Sequence, residues 1–130
     1  MTEPPRDKDL QHLVSYVGDR VALILRRLRA RGFDPLVFEG LRSPQRQRWL
    51  YGQGRTKFQC LKAGISPAYA HKGVIITWTL KSYHLKGKAC DLISKSKLWN
   101  WPEFFDALAE EAAAVGMETI PKERCHIQWG

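Results

Sequence analysis

Leu10, Leu13, Val14, Val17, Val21, Ile24, Leu25 and Leu28 repeat at intervals of three and four residues. That spacing, held for about five turns, predicts a long amphipathic helix. Such a helix cannot bury its own stripe, so the rest of the chain must supply a facing layer. Gly18 is the point where it would kink, and Gly32 after Arg31 suits its C-terminal stop. Four apolar or β-branched runs are candidates for the layer: Leu36–Glu39, Val74–Thr79, Ala89–Ile93 and His126–Trp129. Ser43-Pro44 predicts a second helix of about three turns carrying Gln47, Trp49, Leu50 and Tyr51. Asn100-Trp101-Pro102 opens a third through Phe104, Phe105, Leu108, Ala112 and Val115, ended by Gly116. Residues 52–73, rich in glycine, read as a long loop. This order does not build tight parallel βαβ units. It predicts an α+β domain with helices packed on one side of a small antiparallel sheet. Residues 1–7, polar with two prolines, read as a disordered N-terminal tail, leaving 8–130 as a single domain.

Composition narrows the partners. The formal net charge is +8, which favours an anionic partner such as nucleic acid, anionic lipid or a cell-wall polymer. Much of the excess lies in Arg26, Arg27, Arg29 and Arg31, with more in Arg42, Arg46 and Arg48. The first cluster reads as a solvated helix face, and no nucleic-acid motif accompanies it. Cys60, Cys90 and Cys125 are odd in number and form no CxxC pair, which points to a reducing compartment rather than a disulfide framework. The first residues lack the apolar segment of a secretory signal, and no run approaches the ~20 apolar residues needed to span a bilayer. No membrane insertion is therefore expected.

The chemistry concentrates between Ser82 and Asp91. His84 and Asp91 offer one nitrogen and one oxygen, both suited to zinc. Gly87 lies between them, so the segment is a poor helix, and a strand–turn–strand would let the two converge. Asp91 sits in an apolar run, where a carboxylate must be paired, exposed or bound to metal. A third ligand is open among His12, His71 and His126, and a structural polar cluster is as good a reading as a metal site. Glu123, within Lys-Glu-Arg, has the ordinary reading of a solvated charge.

Ser82-x-His84-x-x-Gly87-x-Ala89-x-Asp91 resembles the signature of the VanY-type D-alanyl-D-alanine carboxypeptidases and the related phage L-alanyl-D-glutamate endopeptidases. Glu123-Arg-Cys-His126 is similar to the family's second signature. Glu39-Gly40-Leu41-Arg42-Ser43, with Gln47-x-x-Leu50-Tyr51-x-Gln53-Gly54-Arg55-Thr56, is similar to its Arg-bearing segment. The likeness covers roughly residues 33–129 in the family's order. It implies a Hedgehog/D,D-peptidase-like domain in which His84, Asp91 and His126 hold zinc. It also implies that Glu123 is the general base, that Arg42 binds the polarised carbonyl or a substrate carboxylate, and that Ser82 orients substrate or ligand. Trp78, shortly before Ser82, is expected near the site. Cys125, beside His126, could compete as a thiolate ligand but is expected to pack inward, since adjacent strand residues face opposite ways. One departure stands out: Gly116–Pro121 leads almost directly to Glu123, where family members often carry Gly-Gly-x-Trp, so one groove wall should differ.

The resemblance thus implies a zinc metallopeptidase acting on bacterial peptidoglycan, first as an L-alanyl-D-glutamate endopeptidase and second as a D-alanyl-D-alanine carboxypeptidase. A small basic domain with no evident signal fits a bacteriolytic phage endolysin. It would be made in the cytoplasm, act on the wall after release, and work as a monomer with no nucleic-acid partner. The rival readings are an inactive wall-binding relative and a nucleic-acid-binding module.

Overall fold

The computed structural model describes residues 1–130. Helix α1 (Ser15–Ala30) carries the predicted stripe, with Val17, Val21, Ile24, Leu25 and Leu28 buried. It starts later than the spacing predicts, because Leu13 is extended and Leu10–His12 form a separate 3-10 turn. Helix α1 runs through Gly18 without a break. A Cβ there would lie 2.8 Å from the Leu10 carbonyl oxygen, so this glycine lets the preceding turn fold back onto the helix.

Strands β1 (Pro35–Glu39), β2 (Ala89–Ser94), β3 (Glu118–Ile120) and β4 (Glu123–Gln128) form one sheet in the order β1-β2-β4-β3. Every pairing is antiparallel. Helix α4 (Pro102–Ala114) starts on its N-terminal proline as predicted and buries Phe104, Phe105, Leu108 and Ala112. The main core joins α1, α4 and the sheet, with Cys90, Leu92 and Ile127 fully buried in it. This is the α+β domain the element order predicts. Helix α2 (Pro44–Gly52) is capped by Ser43, whose hydroxyl accepts from the Arg46 amide.

Three expectations change. Residues 52–73 hold helix α3 (Lys57–Lys62), started by a Thr56/Gln59 capping box. Strand β3 is only three residues long, too short to show a period. Val74–Thr79 is not a strand: the Thr77 and Thr79 carbonyls accept from the side chains of Arg55 and Gln47 instead of a ladder partner. β-branching favours a pleated surface but does not provide one.

The stretch read as a disordered tail also has defined contacts. Pro4 is buried and its carbonyl accepts from Arg46 at 2.9 Å. Arg6 lies 3.9 Å from the Phe38 ring centroid, and the Asp7 carbonyl accepts from the Gly40 amide at 2.8 Å. Most of the Arg-rich face of α1 is solvated, but Arg27 and Arg31 pair with Glu111, and Arg31 also with Glu110 on α4. No helix is long and apolar enough to cross a membrane.

Gly52 tests how α2 is seated. A Cβ there would lie 1.9 Å from the Tyr69 carbonyl oxygen. Gly52→Ala must therefore displace the turn at 67–69, at an expected cost of about 1–3 kcal/mol. Chemical denaturation should show a lower midpoint at unchanged slope. An unchanged midpoint would mean that this turn yields freely.

Candidate metal centre

Asp91 on β2 stands directly opposite His126 on β4. Direct cross-strand partners present their side chains on the same face, so the sheet itself brings these two together. His84 arrives from a 3-10 turn, Tyr83–Lys86, rather than from the predicted strand. The Ser82 hydroxyl caps that turn by accepting the His84 amide at 3.2 Å. Gly87 ends it at φ 69°, a left-handed conformation that glycine adopts without strain.

The ring orientations follow from their outer partners. His84 Nδ1 lies 2.7 Å from the Gly40 carbonyl oxygen. A carbonyl only accepts, so Nδ1 carries the proton and Nε2 is left with its lone pair. His126 Nε2 lies 2.8 Å from Gln128 Oε1, which by the same logic leaves Nδ1 as the free donor atom. Asp91 Oδ1 is 3.3 Å from His84 Nε2 and 3.2 Å from His126 Nδ1. The three ligand atoms all lie within 4.8 Å of one another.

His84 Nε2 and Asp91 Oδ1 are both buried, and despite their proximity neither makes a well-formed hydrogen bond. Two buried polar atoms left facing each other in this way are costly unless a third party satisfies them. Separations of 3.2–3.3 Å match the ~3.4 Å between ligands of one tetrahedral zinc. The second imidazole nitrogens are fixed by acceptors, as metal-ligating histidines usually are. The donor set therefore fits a divalent metal.

Electrostatics agree with a concentrated site. Burial pushes the Asp91 carboxyl up, but the two facing imidazoles, when protonated on the nitrogens that face it, more than offset this and hold it well below the usual carboxylate range. Burial lowers His126 and Asp91 raises it, with a net upward shift. The Cys125 thiol is pushed up to about 12, mainly by burial and then by Asp91. It packs partly against the main core, and its sulfur is not in the ligand cluster.

Arg42 is brought close but is already engaged. Its Nη2 donates to Glu39 Oε1 at 2.8 Å, and its Nη1 to Gln47 Oε1 at 2.9 Å. Nη2 lies 3.9 Å from Asp91 Oδ2, and buried Nε has no partner. Glu39 also accepts from Arg46, which reaches on to Glu3. Glu39, Gln47, the Gly40 carbonyl and Gln128 are the supporting residues that spacing does not single out. One signal was present: a carboxylate closing an apolar strand, with arginines three and seven residues on, asks for a buried ion pair.

These side chains border a cavity of about 770 Å³, a size typical of ligand sites. Arg42, Trp78, Ser82, His84, Asp91, Glu123 and His126 all line it. Glu123 opens β4 at the point where pairing with β3 shifts register, and its side chain is exposed.

No family model and no curated protein matches the chain. Solved structures do. The chain is similar to the L-Ala D-Glu endopeptidase ChiX of Serratia marcescens at 22% identity and TM-score 0.59, covering 99% of this chain and 89% of that one. It is similar to VanYB in complex with D-alanine-D-alanine at 17% identity and TM-score 0.59, covering 99% and 80%. A variant of the D,D-pentapeptidase VanY in complex with Zn(II) matches at 19% identity and TM-score 0.60, covering 90% and 72%. The chain has the VanY-like peptidoglycan peptidase fold.

Proposed function

We propose that this chain is a zinc-dependent peptidase of peptidoglycan stem peptides. The observation that carries the reading is the buried His84–Asp91–His126 donor set, with two atoms left unsatisfied, in the lining of a ligand-sized cavity. The resemblance of its motifs, and the fold shared with ChiX and VanY, supply the substrate class. Coverage of 89% of an L-Ala D-Glu endopeptidase, against 80% of VanYB, favours that bond over terminal D-alanine.

His84 Nε2, Asp91 and His126 Nδ1 would hold the ion. Zinc supplies a Lewis acid that polarises a peptide carbonyl and lowers the pKa of water. Glu123 takes the proton of the attacking water and returns it to the leaving amine. Arg42, fixed by Glu39 and Gln47, places a permanent positive charge beside the site where negative charge develops on the carbonyl oxygen. Ser82 acts by capping the turn that presents His84. A phage endolysin released onto the wall is the setting that the basic charge suits, since that wall is polyanionic.

Two measurements test the reading. Protein purified without added metal should carry close to one zinc per chain, and His84→Ala should lose both metal and activity. Purified peptidoglycan digested with and without chelator, with products read by mass spectrometry, identifies the bond. Cleavage between L-Ala and D-Glu that stops with chelator is expected. Digestion unaffected by chelator in a metal-free protein would sink the proposal.

A further inference from the structure

Val74, Ile76 and Trp78 are 76%, 53% and 80% exposed, an unusual display of large apolar side chains beside a cavity. Trp78 is nevertheless held in place. Arg55 donates to the Thr77 carbonyl at 2.9 Å, and Gln47 to the Thr79 carbonyl at 2.8 Å. Both of these side chains belong to buried residues, so the backbone on each side of Trp78 is pinned from within. The Arg55 guanidinium lies 3.7 Å from the Tyr51 ring centroid and 5.3 Å from that of Trp78. The indole is a presented surface, preorganised by contacts that have no other evident use.

Trp78 borders two hollows. One is the cavity over His84 and Asp91. The other, about 350 Å³, is lined with Tyr51, Arg55, Gln59 and Lys62. Trp78 is the one residue common to both linings, so a ligand spanning the two would lie against its indole. The lining of the second combines an aromatic face with the exposed N–H donors of Gln59 and Lys62, while Arg55 Nη1 is spent on the Tyr51 and Thr77 carbonyls, and it contains no carboxylate. A lone phosphate would use the cations but not the ring, and an apolar peptide would use the ring but leave the exposed Gln59 and Lys62 donors unused. A pyranose uses both: its polarised C–H face suits the negative face of an aromatic ring, and its hydroxyl and acetamido oxygens accept from the donors.

We infer that the hollow formed by Trp78, Tyr51, Arg55, Gln59 and Lys62 is a saccharide subsite that holds an N-acetylated sugar of the glycan strand while the attached peptide lies over the metal centre. This rests on the peptidoglycan reading above. It adds that the enzyme reads the glycan as well as the peptide, which requires the scissile bond to lie near the sugar end of the stem.

The test separates this subsite from catalysis. In a ¹⁵N-labelled protein, a β-1,4-linked N-acetylglucosamine tetramer at millimolar concentration should shift the indole N–H resonance of Trp78, assigned by its loss in Trp78→Phe. Gln59→Ala and Lys62→Ala should weaken that binding severalfold. No turnover is needed, so an inactive protein still reports on the subsite. On substrates, Trp78→Ala should lower kcat/KM for a disaccharide-bearing stem peptide by about tenfold more than for the same peptide without sugar. An unshifted indole resonance, or equal loss on both substrates, would overturn the subsite. So would a Trp78-dependent association with phosphatidylglycerol vesicles or a Trp78-dependent dimer in place of sugar binding.

Discussion

Glu123→Gln is expected, on the proposed zinc-peptidase reading, to fold, retain zinc, and lose turnover of peptidoglycan by at least about 100-fold. Amide hydrolysis needs a proton removed from the attacking water and another delivered to the departing amine, and one carboxylate within reach can do both. His84 and His126 cannot serve as that shuttle in the proposed site. Their outer nitrogens donate to Gly40 and Gln128, and their inner ones face Asp91. Asp91 is committed to the same cluster. Cys125 is a poor base for a different reason, because its thiol is held protonated up to about 12. Among the exposed acidic side chains, Glu123 is the one that lines the cavity, and solvent keeps it free to move protons. The Gln variant preserves shape and hydrogen bonding while removing basicity. The measurements are zinc content, thermal melting and the rate of release of stem-peptide fragments. Activity within about twofold of the parent would return Glu123 to the role of a solvated charge in a basic turn. Loss of zinc along with activity would instead promote it to ligand.

How much of this was legible depends on how local each feature is. The stripe of α1, the proline-started α4, the Ser43 cap and the apolar β2 rest on short-range rules, and apart from the first turn and a half of the α1 stripe they appear where those rules put them. The candidate ligand set was legible in part, because Ser82, His84 and Gly87 define one turn and Asp91 follows on the next strand. Spacing could not choose His126 over His12 or His71. That choice came from resemblance, and the direct pairing of Asp91 with His126 gives its physical reason. What stayed hidden is tertiary. Val74–Thr79 has strand-like residues, but Arg55 and Gln47 take two of its carbonyls, and no alternation in the sequence announces side chains that compete for a backbone. Likewise a polar, proline-containing start looks frayed until Arg46, about 40 residues away, is seen to hold Glu3 and Pro4.

That same cluster carries a large expected stability effect. Glu39 is 1% exposed and lies between two guanidiniums, accepting from Arg42 at 2.8 Å and from Arg46 by a short bond. The arginine side chains are themselves only 10% and 4% exposed. Neutralising Glu39 by Glu39→Gln leaves two buried cations, Arg46 with only the half-exposed Glu3 and Arg42 with only Asp91 at 3.9 Å. Removing one partner of a buried pair costs about 3–5 kcal/mol, because the remaining charge stays desolvated. For a domain of this size that lowers Tm on the order of 10–15 °C. Glu3→Gln, at the wet end of the same chain of charges, should cost no more than about 1 kcal/mol. The Glu39 effect should also reach the metal centre. Once released by Glu39, Arg42 has Asp91 Oδ2 as its next carboxylate, 3.9 Å away. A guanidinium drawn onto Asp91 competes with a metal for that ligand, so zinc affinity should fall together with Tm. Metal titration of folded Glu39→Gln below its melting temperature separates the two effects. Unchanged zinc affinity would mean that Gln47 alone keeps Arg42 in place, and an unchanged Tm would mean that water already screens the pair.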